Sequence, residues 1–291
     1  MDNILEVSGL KKDFGSFGLK DVSFSLKKGC ITGFIGINGA GKTTTIKSIL
    51  GLVIKDAGSV KLFGKEIDKN ERELKNHIGV VLDDGYFYDD MTLIEMKNII
   101  APAYSNWDET VFKNYITRFK LPLKQKISTL SKGMRMKYSI ALALAHHADL
   151  LIMDEPTSGL DPLVRNELMD ILLEFMEEDG KSVFFSTHIT SDLDKIADVL
   201  ILIDNGKIVL NEEKDIILDT HGLVKGDKSM INEHTRKLFL KLHETNYNFE
   251  GITNRKAVVR EQMKNVIIER PTIEDIMLAY IGGDNNAFES C

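Results

Sequence analysis

The segment that most constrains the fold is GINGAGKT, residues 36–43, which lies between the apolar run ITGFI and the segment TTIKSIL. It matches the pattern G-x-x-x-x-G-K-[ST], which binds phosphate when it joins a strand to a helix. Its glycines let backbone N–H groups wrap phosphates, its lysine reaches the β and γ phosphates, and its hydroxyl ligates Mg²⁺. A glycine-rich turn with a chance lysine is the alternative, which the strand–loop–helix context disfavours. The residues predicted to bind a nucleoside triphosphate are Gly36, Ile37, Asn38, Gly39, Ala40, Gly41, Lys42, Thr43 and Thr44.

A second apolar run, LLIMD, ends at Asp154 and is followed directly by Glu155. In a parallel sheet the carboxyl ends of the strands meet at one edge, where the phosphate loop also lies. Asp154, together with Thr43, is therefore predicted to place Mg²⁺, and Glu155 is predicted to polarise the attacking water. Read alone, Asp-Glu-Pro is equally typical of a strand exit and turn, so a structural role stays open at this point.

A histidine, His188, ends the run VFFSTH at the same predicted edge. A lone histidine is more often structural, but this position favours a hydrogen bond to the γ-phosphate. The remaining histidines have no such placement and are interpreted as structural; they are His77, His146, His147, His221, His234 and His243.

The order of elements predicts an α/β fold. Apolar strands alternate with helices up to about residue 212, as in a largely parallel sheet covered on both faces. Residues 3–9 and 22–26 alternate apolar and polar side chains, which adds an antiparallel β subdomain. Residues from about 90 to 148 are helical in pattern, with breaks at Pro102 and Pro122.

The tail, residues 213–291, has a different character and is predicted to be a small separate C-terminal α/β extension. The segments GITNRKAVVR and NVIIERP read as strand-like, and KLFLKLHETNYNF reads as an amphipathic helix that covers the domain or a second subunit. The domain prediction is therefore 1–212 for the main domain and 213–291 for the extension.

Composition narrows the class of protein. The net charge of -7 and a pI near 5.6 disfavour a nucleic-acid partner. Two cysteines imply no disulfide framework and fit a reducing compartment. With neither a secretory signal nor an apolar run long enough to span a membrane, we expect a soluble, cytoplasmic chain.

These residues, in their order, resemble the ATP-binding cassette (ABC) family, the ATPase subunits of ABC transporters, over roughly residues 3–212. LSKGM, residues 130–134, stands where the family has its LSGGQ signature, and SGLD, residues 158–161, matches the family's D-loop. Phe14 matches the aromatic residue that stacks on adenine. The resemblance implies a P-loop NTPase core with ATP and Mg²⁺, in which two subunits pack head to tail. Ser131 and Gly133 of one subunit would then donate to the γ-phosphate held by the other, with Asp161 contributing to the site.

The sequence departs from the family pattern at two places. Lys132 and Met134 replace a glycine and a glutamine of the signature. Asp83 stands where the family has a glutamine, with Asp84 after it, and a catalytic or metal-binding role is predicted for Asp83. The adjoining GYFYDDM, residues 85–91, lies where the family's groove receives a helix of the transmembrane subunit. Its aromatic residues are predicted to contact that helix, with core packing as the equal alternative; they are Tyr86, Phe87 and Tyr88.

The resemblance implies an ATP-binding and ATP-hydrolysing subunit that dimerises around two ATP molecules and drives a separate transmembrane permease. The ending ERPTIEDIMLAYIGG is similar to that of ATPases serving exporter-type permeases, so export is expected, with the chain peripheral on the inner face of the cell membrane. The second subunit is either an identical or a different ABC ATPase, and no nucleic acid is expected. The alternatives are a soluble ABC ATPase acting on ribosomes or nucleic acid, and an ATP-gated regulator of a membrane sensor.

Overall fold

The computed structural model describes residues 3–83 and 86–282, whose strands form three sheets. The strands are β1 Asn3–Asp13, β2 Gly18–Lys27, β3 Ile31–Ile35, β4 Ala57–Leu62, β5 Lys65–Glu66, β6 Ile78–Val81, β7 Leu150–Asp154, β8 Ser182–Thr187, β9 Val199–Asp204, β10 Lys207–Glu213, β11 Gly222–Asp227, β12 Lys241–Glu244, β13 Asn248–Thr253 and β14 Ile267–Glu269. The helices are α1 Lys42–Ile49, α2 Ile67–Lys75, α3 Leu93–Ile100, α4 Glu109–Arg118, α5 Lys132–Leu144, α6 Pro162–Met176, α7 Thr190–Ile196, α8 Lys214–Thr220, α9 Glu233–Arg236, α10 Lys256–Gln262 and α11 Ile273–Gly282.

The central sheet has six strands in the order β10-β9-β3-β8-β7-β6. Pairing is parallel from β9 through β6, and β10 joins β9 as an antiparallel edge. Every residue of β3, β7 and β8 is buried, as expected for parallel strands covered on both faces. The predicted largely parallel sheet is confirmed.

A second, antiparallel sheet with the order β2-β1-β4-β5 lies against one face of the central sheet. Along β2 buried and exposed residues alternate, which lets one face pack while the other meets solvent. Phe24 of this sheet packs on Phe34 and Phe184 of the central sheet, with ring centroids 5.8 and 5.6 Å away. The predicted antiparallel β piece is confirmed.

The helical segment between β6 and β7 consists of α3, α4 and α5. Each helix starts at a side-chain cap, provided by Thr92, Asp108 and Ser131 respectively. The buried hydroxyl of Tyr138 in α5 donates to the carbonyl oxygen of Leu93 at 2.7 Å, which ties α5 to α3. The helical pattern predicted for this stretch is confirmed.

The tail contains a third, antiparallel sheet with the order β12-β13-β11-β14. The amphipathic helix predicted for residues 237–249 is wrong: β12 and the start of β13 form a hairpin there. Thr245 closes the turn, because its N–H donates to the carbonyl of Asn248 at 2.8 Å and its hydroxyl accepts the Asn248 N–H at 2.9 Å. Exposed and buried residues alternate from Asn248 to Gly251 at the start of β13, as they do in a strand.

The strand predicted over GITNRKAVVR is only partly correct, because β13 ends at Thr253 and α10 begins at Lys256. A turn separates them, in which the Thr253 hydroxyl accepts the Arg255 N–H at 2.9 Å. Two helices of the tail, α8 and α11, also contribute buried side chains to the core beside the central sheet. The predicted boundary at residue 212 remains a prediction.

Candidate functional site

Three adjacent strands of the central sheet, β3, β8 and β7, end at the same edge. The phosphate loop follows β3, His188 follows β8 and Glu155 follows β7. Parallel pairing sets Ile35 beside Thr187, and Asp154 beside Ser186. The topology therefore brings the phosphate loop together with two segments that lie more than 100 residues further along the chain.

The phosphate loop is shaped by its glycines. Gly39 and Gly41 have φ of 84° and 116°, values that residues with a Cβ rarely adopt. A Cβ on Gly36 would lie 2.5 Å from the carbonyl oxygen of Ile203, so only glycine lets the loop pass this close to β9. The loop then runs directly into α1, whose exposed N-terminal N–H groups favour an anion.

Lys42 lies at the centre of this loop with its side chain 6 % exposed. Its ammonium donates to the carbonyl oxygens of Gly36 at 2.7 Å and Ile37 at 3.3 Å, and lies 3.1 Å from Glu155 Oε1. A buried ammonium requires several such partners. These contacts hold the amine at the mouth of the loop, beside the predicted base.

Glu155 joins Lys42 to His188. Its Oε2 is 2.7 Å from His188 Nδ1 and also accepts the His188 N–H at 3.3 Å. The backbone of Glu155 has φ of 50°, an uncommon conformation for a residue other than glycine and one that is often found at functional sites. Glu155, predicted to polarise the attacking water, thus contacts both Lys42 and His188, which are predicted to hold the γ-phosphate.

Ser186, which the sequence interpretation missed, organises the two carboxylates. Its fully buried hydroxyl donates to Asp154 Oδ1 at 2.6 Å and accepts the N–H of Glu155 at 2.9 Å. The signal was present in VFFSTH, where a serine interrupts an apolar strand that pairs with LLIMD. Asp154 is buried, and its carboxylate retains lone pairs beyond the one that Ser186 uses.

The residues at this edge fit a Mg²⁺ ion bound together with a triphosphate. Thr43 is exposed in the first turn of α1, and a hydroxyl plus a carboxylate are oxygen donors of the kind Mg²⁺ prefers. Mg²⁺ usually keeps several waters and takes only one or two protein ligands. Among the described residues, no group of three or more His, Cys, Asp or Glu side chains is placed to hold a metal by itself.

The signature segment forms the N-terminus of α5. The hydroxyl of Ser131 caps the helix by accepting the N–H of Met134 at 3.2 Å. Asp161 caps α6 in the same way, accepting from Leu163 and Val164 at 3.0 and 3.1 Å. A Cβ on Gly133 would lie 3.5 Å from Val164, so the two capped helix starts are neighbours. Both Ser131 and Asp161 face solvent.

Asp83 contacts the signature segment: its Oδ1 lies 2.7 Å from the ammonium of Lys132. Its predicted roles at the metal and the water stay predictions, and Asp84 and Gly85 lie outside the described residues. The ring of Phe14 is 54 % exposed, 5.6 Å from the ammonium of Lys12, and its stacking on adenine likewise stays a prediction. Phe17 lies against the phosphate loop, with its Cζ 3.2 Å from where a Cβ on Gly41 would lie.

An apolar groove of about 260 Å³ opens between α3 and α5 beside the end of β6. Tyr86 and Phe87 both line it, and the Phe87 ring also packs on Tyr138 at 5.2 Å between centroids. The packing of Phe87 supports the core-packing alternative for that residue, whereas Tyr86 and Tyr88 are exposed. Contact of these aromatic residues with a transmembrane helix stays a prediction. The other residues that line the groove are Val80, Leu82, Met96, Ile100, Tyr104, Ser139, Leu142 and Ala143.

Comparisons of the sequence and of the structure with known proteins all match ABC transporter ATP-binding proteins. The model of the ABC transporter family matches residues 19–158. A bacitracin transport ATP-binding protein of Bacillus licheniformis is 34% identical over 214 residues, covering 72% of this chain and 69% of that protein. A lantibiotic transport ATP-binding protein of Streptococcus pyogenes is 33% identical over 215 residues, covering 73% of this chain and 92% of that protein. The solved structure of an ATP-binding subunit of an ABC transporter superimposes with a TM-score of 0.67 at 29% identity, covering 74% of this chain and 92% of that one.

Proposed function

The chain belongs to the ABC transporter family as one of its ATP-binding, ATP-hydrolysing subunits, and we propose how its residues perform that activity and which partners it serves. The contact of Lys42, Glu155 and His188 at one edge of the sheet carries the proposal. An ammonium, a carboxylate and an imidazole in this arrangement suit phosphoryl transfer to water, in which positioning and charge stabilisation dominate catalysis.

In the proposed reaction, Glu155 accepts a hydrogen bond from the attacking water and takes its proton as the oxygen attacks the γ-phosphorus. The bond from the γ-phosphorus to the bridging oxygen breaks, and ADP leaves with the electron pair. Lys42 exchanges its contact with Glu155 for the phosphate oxygens, which frees the carboxylate. His188 donates to the γ-phosphate and, through its contact with Glu155, fixes the direction of the base.

Mg²⁺ is proposed as the cofactor, held by the hydroxyl of Thr43 and, through water, by Asp154. Bound there, the ion would neutralise charge on the phosphates. Ser186 directs Asp154 by donating to its Oδ1. The phosphate loop, residues 36–44, supplies N–H donors, and Phe14 supplies the exposed ring on which adenine stacks.

The site is proposed to be completed by a second ABC ATPase subunit. Ser131, Gly133 and Asp161 lie at neighbouring, solvent-facing helix starts. The N-terminus of α5 attracts an anion by its dipole, worth about 0.3–1 kcal/mol at an exposed position. The anion proposed is the γ-phosphate bound to the phosphate loop of the partner subunit.

A separate transmembrane permease is the proposed membrane partner, with its cytoplasmic helix in the groove lined by Tyr86 and Phe87. No helix in the described ranges 3–83 and 86–282 has the length and apolar character to cross a bilayer. The relatives named above are ATP-binding proteins for the transport of bacitracin and a lantibiotic. We therefore propose a place on the inner face of the cell membrane and a role in export.

Replacing Glu155 by glutamine tests the hydrolytic role. The amide keeps the shape of the carboxylate but cannot take the proton, so turnover should fall by about 10²–10⁴-fold while ATP still binds. Steady-state phosphate release and binding of a fluorescent ATP analogue measure the two effects. Turnover equal to that of the unmodified chain would reject Glu155 as the base.

Capture of the permease tests the membrane role. The tagged Glu155→Gln chain is purified from detergent-solubilised native membranes with Mg-ATP, and co-purifying chains are identified by mass. We expect a multi-spanning protein, which should be lost with Ile100→Asp in the groove and retained with the neighbouring Ile99→Asp outside it. Recovery of ribosomes, nucleic acid or soluble chains alone would contradict the membrane partner.

A further inference from the structure

Acidic side chains before α3 face basic side chains in the first turn of α5 and in the segment that precedes it. The ion pairs are Asp83–Lys132 at 2.7 Å, Asp89–Arg135 at 2.8 Å and Asp90–Lys126 at 3.9 Å. A backbone bond accompanies them, from the N–H of Ser128 to the carbonyl of Asp89 at 2.9 Å. The signature segment is therefore bound by charge to the chain that follows β6.

The shortest of these pairs joins two of the three positions at which the sequence departs from the family pattern. Lys132 stands in place of a glycine, which has no side chain to form a pair, and Asp83 stands in place of a neutral glutamine. A lysine in the first turn of a helix is unfavourable because both carry positive charge at that end. The carboxylate of Asp83 offsets this charge, so each departure compensates the other.

The pair lies between the groove and the composite ATP site. Asp83 follows Leu82, which lines the groove, and α5 lines the groove with Ser139, Leu142 and Ala143. At the other end of the pair, the Lys132 side chain lies over Gly159, with its Cδ 3.4 Å from where a Cβ would lie. The Asp83–Lys132 contact is thus a direct link between the groove and the signature segment.

We propose that Asp83 and Lys132 are positioning residues whose ion pair fixes the N-terminus of α5 relative to the groove. A helix seated in the groove then sets the direction of Ser131 and Gly133 toward the partner's γ-phosphate. Asp83 acts through Lys132 and not as a ligand of Mg²⁺. This inference rests on the proposed composite site.

A double-mutant cycle with Asp83→Asn and Lys132→Met tests the pair. Both side chains are about 40 % exposed, 40% for Asp83 and 42% for Lys132, and exposed pairs carry modest coupling, roughly two- to fivefold in an equilibrium or rate. We expect each single variant to lower ATP turnover by about that factor. The double variant should lose no more than the worse single variant. ATP affinity of the isolated subunit should stay unchanged, because the phosphate loop is untouched.

A role for Asp83 as a metal ligand predicts a different result. Asp83→Asn would then lower turnover by the same factor whether position 132 is Lys or Met. Such additivity overturns the proposal. Single variants with unchanged turnover overturn it as well. The matched control is the cycle on Lys65 and Glu73, also 2.7 Å apart, which should leave turnover unchanged.

Urea unfolding is measured without ATP for the unmodified chain, the two single variants and the double variant. It distinguishes a failure of the Asp83–Lys132 ion pair from a failure of the proposed function. Non-additive unfolding midpoints support the Asp83–Lys132 contact even if Glu155→Gln leaves turnover intact, a result that rejects only the proposed function. Additive midpoints overturn the contact itself.

Discussion

Replacing Ser186 by alanine should weaken both the fold and the catalytic site, and its contacts give the magnitude. The hydroxyl donates to the Asp154 carboxylate at 2.6 Å, a bond of about 1.5–3 kcal/mol, and accepts the Glu155 N–H at 2.9 Å, worth about 0.5–1.5 kcal/mol. Because both bonds are lost at a fully buried position, we expect the free energy of unfolding to fall by about 2–4 kcal/mol. Urea denaturation followed by circular dichroism measures this loss.

The effect of Ser186→Ala on turnover follows from the backbone of Glu155. That residue holds an uncommon φ of 50°, and the bond to Ser186 is one of its restraints. A shift of about 1 Å in a reacting group can cost of the order of 10²-fold, so we expect kcat to fall by roughly 10- to 100-fold with ATP still bound.

Ser182→Ala on the same strand is the matched control for this variant. Ser182 is equally buried, but within the described residues its hydroxyl has a single partner, the N–H of Gly29, from which it accepts at 2.9 Å. The Ser182→Ala variant should lower the free energy of unfolding by about 1 kcal/mol and leave kcat unchanged. If Ser186→Ala retains full kcat, or if Ser182→Ala loses as much, the reasoning on Ser186 is refuted.

Three further changes have definite expected outcomes. Gly36→Ala brings a Cβ to 2.5 Å from the Ile203 carbonyl, so it should lower stability by about 1–3 kcal/mol and weaken ATP-analogue binding; unchanged binding would show that the loop has room. Lys42→Met keeps the apolar stem but removes the ammonium, and should weaken the same binding by at least about tenfold, the loss of roughly 1.4 kcal/mol. Burial lowers the pKa of His146, so the folded state keeps it neutral while the unfolded chain takes up a proton below about pH 6.5. Stability should therefore fall as pH drops from 6.5 toward the folded pKa, less steeply in His146→Gln than in His243→Gln, as thermal unfolding between pH 5 and 7.5 would show.

Much of the fold and site was predictable because the signals were local. The spacing of its glycines and lysine identifies the phosphate loop, and short apolar runs indicate buried parallel strands. Once the sheet is parallel, its carboxyl edge brings Lys42, Glu155 and His188 together without further information. In the structure the phosphate loop follows β3, Glu155 follows β7 and His188 follows β8.

What the sequence did not reveal depended on partners distant in the chain. Ser186 reads as an ordinary strand residue until pairing sets it beside Asp154. Asp83 and Lys132 read as two separate departures, and only the fold shows that they touch. In the tail, KLFLKLHETNYNF has apolar spacing that fits either period over a short window, and pairing with β13 decided for a strand.

The most direct test of the account is the mass of the Glu155→Gln chain in solution with and without Mg-ATP, measured by light scattering during size-exclusion chromatography. We predict a mass near 32.7 kDa without nucleotide and twice that with Mg-ATP. Adding Ser131→Arg should abolish the doubling while a fluorescent ATP analogue still binds, because the signature of one subunit then cannot approach the γ-phosphate of the other. Doubling that persists with Ser131→Arg, or a chain that stays monomeric at saturating Mg-ATP, would contradict the shared site.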